Sequence, residues 1–461
     1  MTEETGGPRR ERAARDRDWT KGSISGNLWA LSWPIMVSSS LSMMGPTIDM
    51  IWIGKLGSAA LAGVGIAGMA VMAVNALMMG LFTGLRAMIA RFIGAGNTDG
   101  ANHVMQQAFV IGAVFSVITA SIGLLFTEGI LTLFGVEADV VAQGAAYMRI
   151  QFIGMVTMSL LRITETSMQA SGDTVTPMRI AIFYRILHLL LAPSLIFGLW
   201  IFPQLGVRGA ALTNIITQSM GGILALWFLF SGRTRLKPTL RNFRLDWSII
   251  WRMVKVGIPA AVTGVQRNLP NLVLVWFVAP FGTFAVAAHS LTQRIDNFMR
   301  TIALALGQST GILAGQNLGA GQPERAERTG WLSAGIFTCV MAIASLTIWF
   351  WAEKIIRIFN TEPGLVDLGA AFLRIQILGY MISGFTVVLS TGLNGIGDTF
   401  TVMLVTLLTM WLVQIPLAYI LPAVTSLGVY GVRWGMVAAQ VLRGTFYIFY
   451  FRTGRWKSKK I

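Results

Sequence analysis

The chain has 461 residues, of which 54% are hydrophobic and only 12% are charged, and its formal net charge is +16 at pH 7. A water-soluble domain is usually about 25% charged because its surface must face water. The composition therefore excludes a soluble globule and indicates a surface that faces lipid. The one cysteine, Cys339, excludes an internal disulfide, and three histidines without a ligand-pair motif predict no metal site and no cofactor.

Twelve stretches are apolar enough to cross a bilayer, which takes about 20 residues. They lie at 28–53, 60–90, 104–126, 140–170, 176–200, 208–231, 254–281, 285–315, 330–352, 366–395, 400–422 and 433–451. We number them spans 1 to 12 and predict an all-α polytopic membrane protein. The predicted division is a polar tail (1–25) without a secretory signal, a first lobe (26–231), a basic linker (232–253), a second lobe (254–452) and a basic tail (453–461).

Half of the 36 lysines and arginines lie in three segments, 9–21, 233–255 and 452–460. An even number of spans puts all three on one side of the membrane, and the positive-inside rule makes that side the cytoplasm. Basic clusters beside apolar spans contact anionic lipid headgroups. We therefore expect lipid, and not nucleic acid, as the partner of this charge.

The two halves of the chain are copies of each other. Shifting the sequence by 225 residues places Pro34 on Pro259, and residues 134–154 match 359–379 at 10 of 21 positions. Six spans in each half give the two copies the same orientation. A parallel repeat of this kind is typical of transporters whose site lies between two lobes.

Several motifs carry a resemblance to a known family. Span 1 contains WPIMVSSSLSMMGPTIDMIWIG, span 8 contains AVAAH and ends in GQNLGAG, QASGDTVTPM and GLNGIGDTF follow spans 4 and 10, and GVRGAALTNIITQ opens span 6. With these motifs the chain resembles the multidrug and toxic compound extrusion (MATE) transporters, in their prokaryotic DinF-like branch. The resemblance implies two six-helix bundles in a V shape, alternating access, and export of organic amphiphiles in exchange for protons or sodium ions. We expect a monomer in the bacterial inner membrane.

Asp49 is the one acid of span 1, and an unpaired carboxylate in a span is costly and usually functional. Its repeat position holds Leu274, so carboxylate chemistry at this depth belongs to the first lobe. The family likewise carries an aspartate fifteen residues after the proline that corresponds to Pro34, and that proline can kink the helix. We predict that Asp49 couples transport to protons; the alternative is that it bonds neighbouring hydroxyls or caps a helix break at Gly45-Pro46.

Span 5 departs from the DinF-like pattern of an asparagine and an aspartate four residues apart. The chain has His188 and Ala192 there, which removes a carboxylate and supplies an imidazole that titrates near neutral pH. The hypothesis is an Asp49–His188 proton relay, against a neutral, packed histidine. Tyr147 and Asn214 are further candidate partners of Asp49.

Other charged residues are candidates for a substrate cavity. Arg162 and Glu165 stand three apart on span 4 and can pair on one helical face, with Arg185 one turn before His188. Arg294 and Asp296 match a pattern of the branch but are too close in sequence to face each other. Arg267 occupies the place of a glutamate in the NorM-like branch, which argues against an ion site of that type in the second lobe. This excess of arginine favours anionic or zwitterionic amphiphiles.

Three alternatives remain at this point: a sodium-coupled MATE exporter, a lipid-linked precursor flippase of the same superfamily, and a membrane enzyme or receptor. The last is disfavoured because the chain has no nucleophile motif and no sizeable soluble domain. An ATP-driven pump is disfavoured because there is no Walker motif.

Overall fold

The computed structural model describes residues 17–238, 243–266 and 269–459, and these residues form helices and connecting turns with no β-strand. The α-helices are α1 (Ile24–Gly54), α2 (Ser58–Gly94), α3 (Thr98–Thr132), α4 (Ala138–Ile153), α5 (Met155–Ser171), α6 (Val175–Phe197), α7 (Val207–Phe230), α8 (Trp247–Gln266), α9 (Leu269–Val278), α10 (Thr283–Gly319), α11 (Pro323–Arg357), α12 (Pro363–Ser383), α13 (Leu389–Gly395), α14 (Thr399–Leu408), α15 (Ile415–Val424) and α16 (Val429–Arg452). Two π-helical segments, Gly384–Val388 and Thr409–Gln414, join α12 to α13 and α14 to α15.

These helices make up the twelve predicted spans. The pairs α4/α5, α8/α9, α12/α13 and α14/α15 each form one span, and the other eight helices form one span apiece. By length and composition alone, eight spans of the described residues could cross a membrane. The remaining four are α1, the α4/α5 pair, α10 and α16; they carry more polar side chains or are broken, as α4/α5 is at Gly154.

The duplication is visible in the helix boundaries. Helix α10 begins and ends 225 residues after α2, and α11 does the same relative to α3. The offset falls to 222 between α7 and α16, because the connection before the last span is shorter in the second half. Gly57, Gly96 and Gly172 have positive φ, as do their repeat mates Gly282, Gly321 and Gly397. The turns of the two halves are therefore built alike.

The chain divides into two compact units. The first contains the described residues up to Trp19 together with Trp33–Lys255, and the second contains Thr20–Ser32 and the described residues from Val256 onward. Ile53, Met148 and Phe152 lie in the core of the first unit. Leu389 and Tyr447 lie in the core of the second. Many large apolar side chains outside these cores are exposed, as expected of helices that face lipid.

This division differs from the predicted lobes in two places. The linker packs on the first unit: Leu236 is fully buried, and Gln107 bonds the backbone of Arg244 and Asp246. The start of α1 belongs to the second unit, where Arg325 donates to the Gly22 carbonyl at 2.7 Å. Long-range contacts of these polar flanking segments decide the boundaries, and hydropathy carries no information about them.

Candidate functional site

The Asp49 carboxylate is the centre of a buried polar cluster in the first unit. Asp49 is 3% exposed and His188 is 1% exposed, and His188 Nε2 lies 3.1 Å from Asp49 Oδ1. Asn214 Nδ2 donates to Asp49 Oδ2 at 2.8 Å. Spans 1, 5 and 6 therefore meet at one carboxylate, and the predicted proximity of Asp49 and His188 is confirmed.

The local structure of α1 decides between the two readings of Asp49. The helix runs unbroken through Pro34, Gly45 and Pro46, so there is no helix break for Asp49 to cap. The printed contacts of its carboxylate are an amide and an imidazole rather than hydroxyls. Ser38 Oγ donates to the Pro34 carbonyl at 2.9 Å, a side-chain bond to the backbone of the kind that bends helices.

Tyr147 lies close to this cluster without a hydrogen bond to Asp49 among the described residues. Its hydroxyl accepts a bond of 2.7 Å from Gln151 Nε2, and it is an electrostatic neighbour of Asp49. The direct amide partner of Asp49 is Asn214. The His188 Nδ1 atom is buried with no hydrogen-bond partner in the described part of the chain.

Arg185 contributes a positive charge beside the cluster. Its guanidinium lies against α1 at Gly45, where a Cβ would come within 2.1 Å of Arg185 Nη1. Arg185 also interacts electrostatically with Asp49 and packs over the Tyr184 ring at 5.6 Å. Gly45 thus lets a guanidinium approach the helix one turn before Asp49.

The candidate cavity residues of span 4 form an ion pair. Arg162 Nη1 lies 3.3 Å from Glu165 Oε2, as their spacing of three predicts, and Glu165 is buried. Whether this pair holds substrate or only neutralises itself stays a prediction.

The second unit contains a buried ion pair that the spacing arguments do not predict. Arg433 Nη1 lies 3.0 Å from Asp296 Oδ2, and the Tyr380 hydroxyl donates to Asp296 Oδ1 at 2.5 Å. Arg433 is 0% exposed and packs over the Phe372 ring at 5.2 Å. An arginine inside an apolar span is itself a functional signal, and that signal could have singled out Arg433. Arg294 is exposed on α10, and Arg267 lies outside the described residues.

Comparisons with known proteins agree with this architecture. A family model described as MatE matches residues 34–194 and 259–420. A Bacillus subtilis relative named probable multidrug resistance protein YoeA is 25% identical over 432 residues, 93% of each chain. A Thermotoga maritima relative named probable multidrug resistance protein NorM is 25% identical over 447 residues, 95% of this chain and 94% of that one.

A solved structure of a MATE protein in a bent conformation has the same fold. Its TM-score is 0.88 at 23% identity, with 94% of this chain and 96% of that chain covered. The predicted twelve-span architecture in two six-helix halves is confirmed. The chain therefore belongs to the MatE family of multidrug transporters, and it is a membrane transporter rather than an enzyme.

Proposed function

We propose that the protein is a secondary antiporter that exports organic amphiphiles in exchange for protons. The observation that carries this proposal is the contact of 3.1 Å between the buried side chains of Asp49 and His188. A buried carboxylate beside an imidazole can take up, hold and release a proton at modest changes of pH. We place the chain in the DinF-like branch, because its coupling carboxylate lies in the first lobe.

The chemistry of the Asp49 site favours protons over sodium ions. Its two closest side-chain contacts are nitrogen atoms, one from His188 and one from Asn214. A hard cation needs several oxygen ligands, and the position where the branch carries a second carboxylate is Ala192. A proton needs only one acceptor.

The proposed coupling step changes the contacts of α1. A proton that binds Asp49 Oδ1 removes the negative charge that attracts His188 and Arg185, and it weakens the bond accepted from Asn214. Two prolines lie within α1, at Pro34 and Pro46, and each removes one backbone bond. The helix therefore has the means to adopt a second shape once its contacts at Asp49 are released.

Proteoliposomes with an imposed pH or sodium gradient test the proposal. We expect uptake of a fluorescent amphiphile into inside-out vesicles to follow the pH gradient in the wild type and to stop in Asp49→Asn. Asp99→Asn, an exposed acid in the first turn of α3, is the matched control. Transport that follows only sodium would replace the proton with Na⁺ as coupling ion. Movement of labelled lipid without either gradient would support the flippase instead.

The same proposal includes an orientation in the bacterial inner membrane. Both termini and the linker face the cytoplasm, because the three basic segments then share the positive side. One chain contains both lobes, so we propose a monomer as the transporting unit. Labelling of Cys339, the one cysteine of the chain, and of single cysteines introduced at the tails would test the orientation.

A further inference from the structure

The second unit contains a polar cavity that none of the coupling chemistry above uses. Its volume is about 180 Å³, and α10, α12, α16 and both π-helical segments contribute to its lining. Four glutamine side chains line it, namely Gln293, Gln376, Gln414 and Gln440. An amide-rich cavity inside a membrane domain is costly unless it serves to bind something polar.

The charge of this cavity is positive. Among the described residues that line it, Arg300 and Arg443 carry positive charge and Asp296 carries negative charge. Arg433 already neutralises Asp296 at 3.0 Å. The field inside the cavity therefore favours an anion.

Helix geometry is irregular where the chain borders the cavity. Thr386 and Val387 belong to the first π-helical segment, and Met410 and Gln414 belong to the second. The corresponding positions of the first half lie in regular α-helix, within α5 and α6. π-Helical segments cost stability and are frequent at functional sites, so their presence in only this half marks the cavity.

Gln376 has unused hydrogen-bonding capacity at the cavity. Its Nε2 donates to Gln440 Oε1 at 3.0 Å, and Gln440 Nε2 donates to the Gly379 carbonyl at 3.0 Å. Gln376 is 4% exposed, yet its Oε1 has no hydrogen-bond partner in the part of the chain that the structure describes. A buried amide oxygen left in this state favours a ligand that brings an N–H or O–H donor.

Arg443 is specific to the second half. Its Nε donates to Thr409 Oγ1 at 2.7 Å, at the first residue of the second π-helical segment. The offset of 222 residues between α7 and α16 puts Gly221 at the corresponding position of the first half. This guanidinium is therefore an addition to the repeat rather than a remnant of it.

We propose that this cavity binds the anionic headgroup of a transported amphiphile, namely a carboxylate or another single anion with an adjacent N–H or O–H donor. This inference rests on the proposed exporter function and names its substrate class. Complete drug-sized sites have volumes of about 300–1,000 Å³, so a cavity of about 180 Å³ holds the headgroup while the apolar body lies outside it. Arg443 holds the anion, and Gln376 accepts from the donor beside it.

Equilibrium binding of a matched ligand pair tests the proposal. Glycocholate carries a carboxylate next to an amide N–H, and its methyl ester keeps the same body without the charge. Dissociation constants are measured with the purified full chain in nanodiscs of zwitterionic lipid, so that no anionic lipid headgroup competes. We expect glycocholate to bind about tenfold more tightly than the ester, because bonds to charged groups are the stronger ones.

Substitutions at two arginines of α16 locate the effect. Arg443→Gln should abolish the preference for glycocholate and leave ester binding unchanged, which also shows that the variant is folded. Arg443→Lys should keep most of the preference. Arg452→Gln removes an exposed charge from the end of the same helix and should behave as the wild type. Equal binding of the two ligands to the wild type, or an unchanged preference in Arg443→Gln, would overturn the inference.

Two further measurements separate this inference from the proposed antiport. Asp49→Asn should retain the preference for glycocholate although proton-driven transport is lost. Anionic lipid added to the nanodiscs should weaken glycocholate binding less than an equal concentration of free glycocholate does. Displacement by anionic lipid at lower concentration would assign the cavity to a lipid headgroup and overturn the proposal of a transported ligand.

Discussion

The Nε2 atom of His188 lies 3.1 Å from the Oδ1 atom of Asp49, and both side chains are almost completely buried. The two residues come from α6 and α1, so a single contact connects spans 5 and 1 of the first half. A buried carboxylate and a buried imidazole in contact share one proton economically, because each charged form stabilises the other. The predictions below begin with this pair.

Replacing His188 by glutamine should slow proton-driven transport about tenfold at neutral pH, a barrier increase of ~1.4 kcal/mol. The variant keeps a polar side chain but cannot pass a proton to Asp49. Uptake into proteoliposomes, measured from pH 5.5 to 8.5, should also lose its inflection near neutral pH. His103→Gln, a partly exposed histidine on α3, is the control. An unchanged rate and pH profile would leave His188 as a packing residue only.

Asp296→Asn should lower the free energy of unfolding by about 3 kcal/mol, because it leaves the charge of the fully buried Arg433 without its carboxylate. The double variant Asp296→Asn/Arg433→Met should recover most of this loss, since both charges are then removed. Unfolding by SDS in mixed micelles measures each value.

Glu353→Gln serves as the control for this pair. Glu353 contacts Arg374 at 3.0 Å, but both side chains are well exposed, so the substitution should cost less than about 1 kcal/mol. If Asp296→Asn is as stable as Glu353→Gln, the buried pair does not stabilise the second unit.

The C-terminal segment should stabilise the second unit through Trp456. This side chain is 0% exposed, stacks on Phe451 with ring centroids 4.6 Å apart, and donates from Nε1 to the Phe451 carbonyl at 2.9 Å. Trp456→Ala should therefore cost about 3–5 kcal/mol of unfolding free energy. Trp251→Ala, at a tryptophan that is 65% exposed, should cost far less. Equal melting temperatures for the two variants would mean that the tail is not anchored by this ring.

The linker should contribute a pH-dependent part of the stability through Asp246. The backbone N–H groups of Ile249 and Ser248 donate to its carboxylate, at 3.2 Å and 2.9 Å, and with His103 they hold the pKa of Asp246 below its usual range. A lowered pKa in the folded state stabilises at pH above about 4 and loses this effect as the pH falls further.

The test compares the melting temperatures of the wild type and Asp246→Asn between pH 7 and pH 3. The variant should melt lower at pH 7, and the difference should shrink below about pH 4 as the wild-type carboxylate becomes protonated. A difference that stays constant over this range would assign the effect to lost geometry instead of charge.

Much of the architecture was predictable from local patterns. Hydropathy located all twelve spans within a few residues, and the offset of 225 residues between the halves appears again in the boundaries of α2 and α10. Asp49 and His188 stood out because ionisable residues are rare and costly inside apolar helices. By contrast, the assignment of the linker to the first unit was not predictable, since it depends on single contacts such as that of Gln107.

Span positions, the duplication and the position of one membrane acid follow from the amino-acid sequence alone, because a backbone in lipid must satisfy its hydrogen bonds within its own helix. Which side chains meet across helices was decided only by tertiary packing. Arg433 pairs with Asp296 over a separation of 137 residues, and Asn214 reaches Asp49 over 165. Local periodicity specifies which face of a helix is polar, but the neighbour of that face is set by how all the helices pack at once.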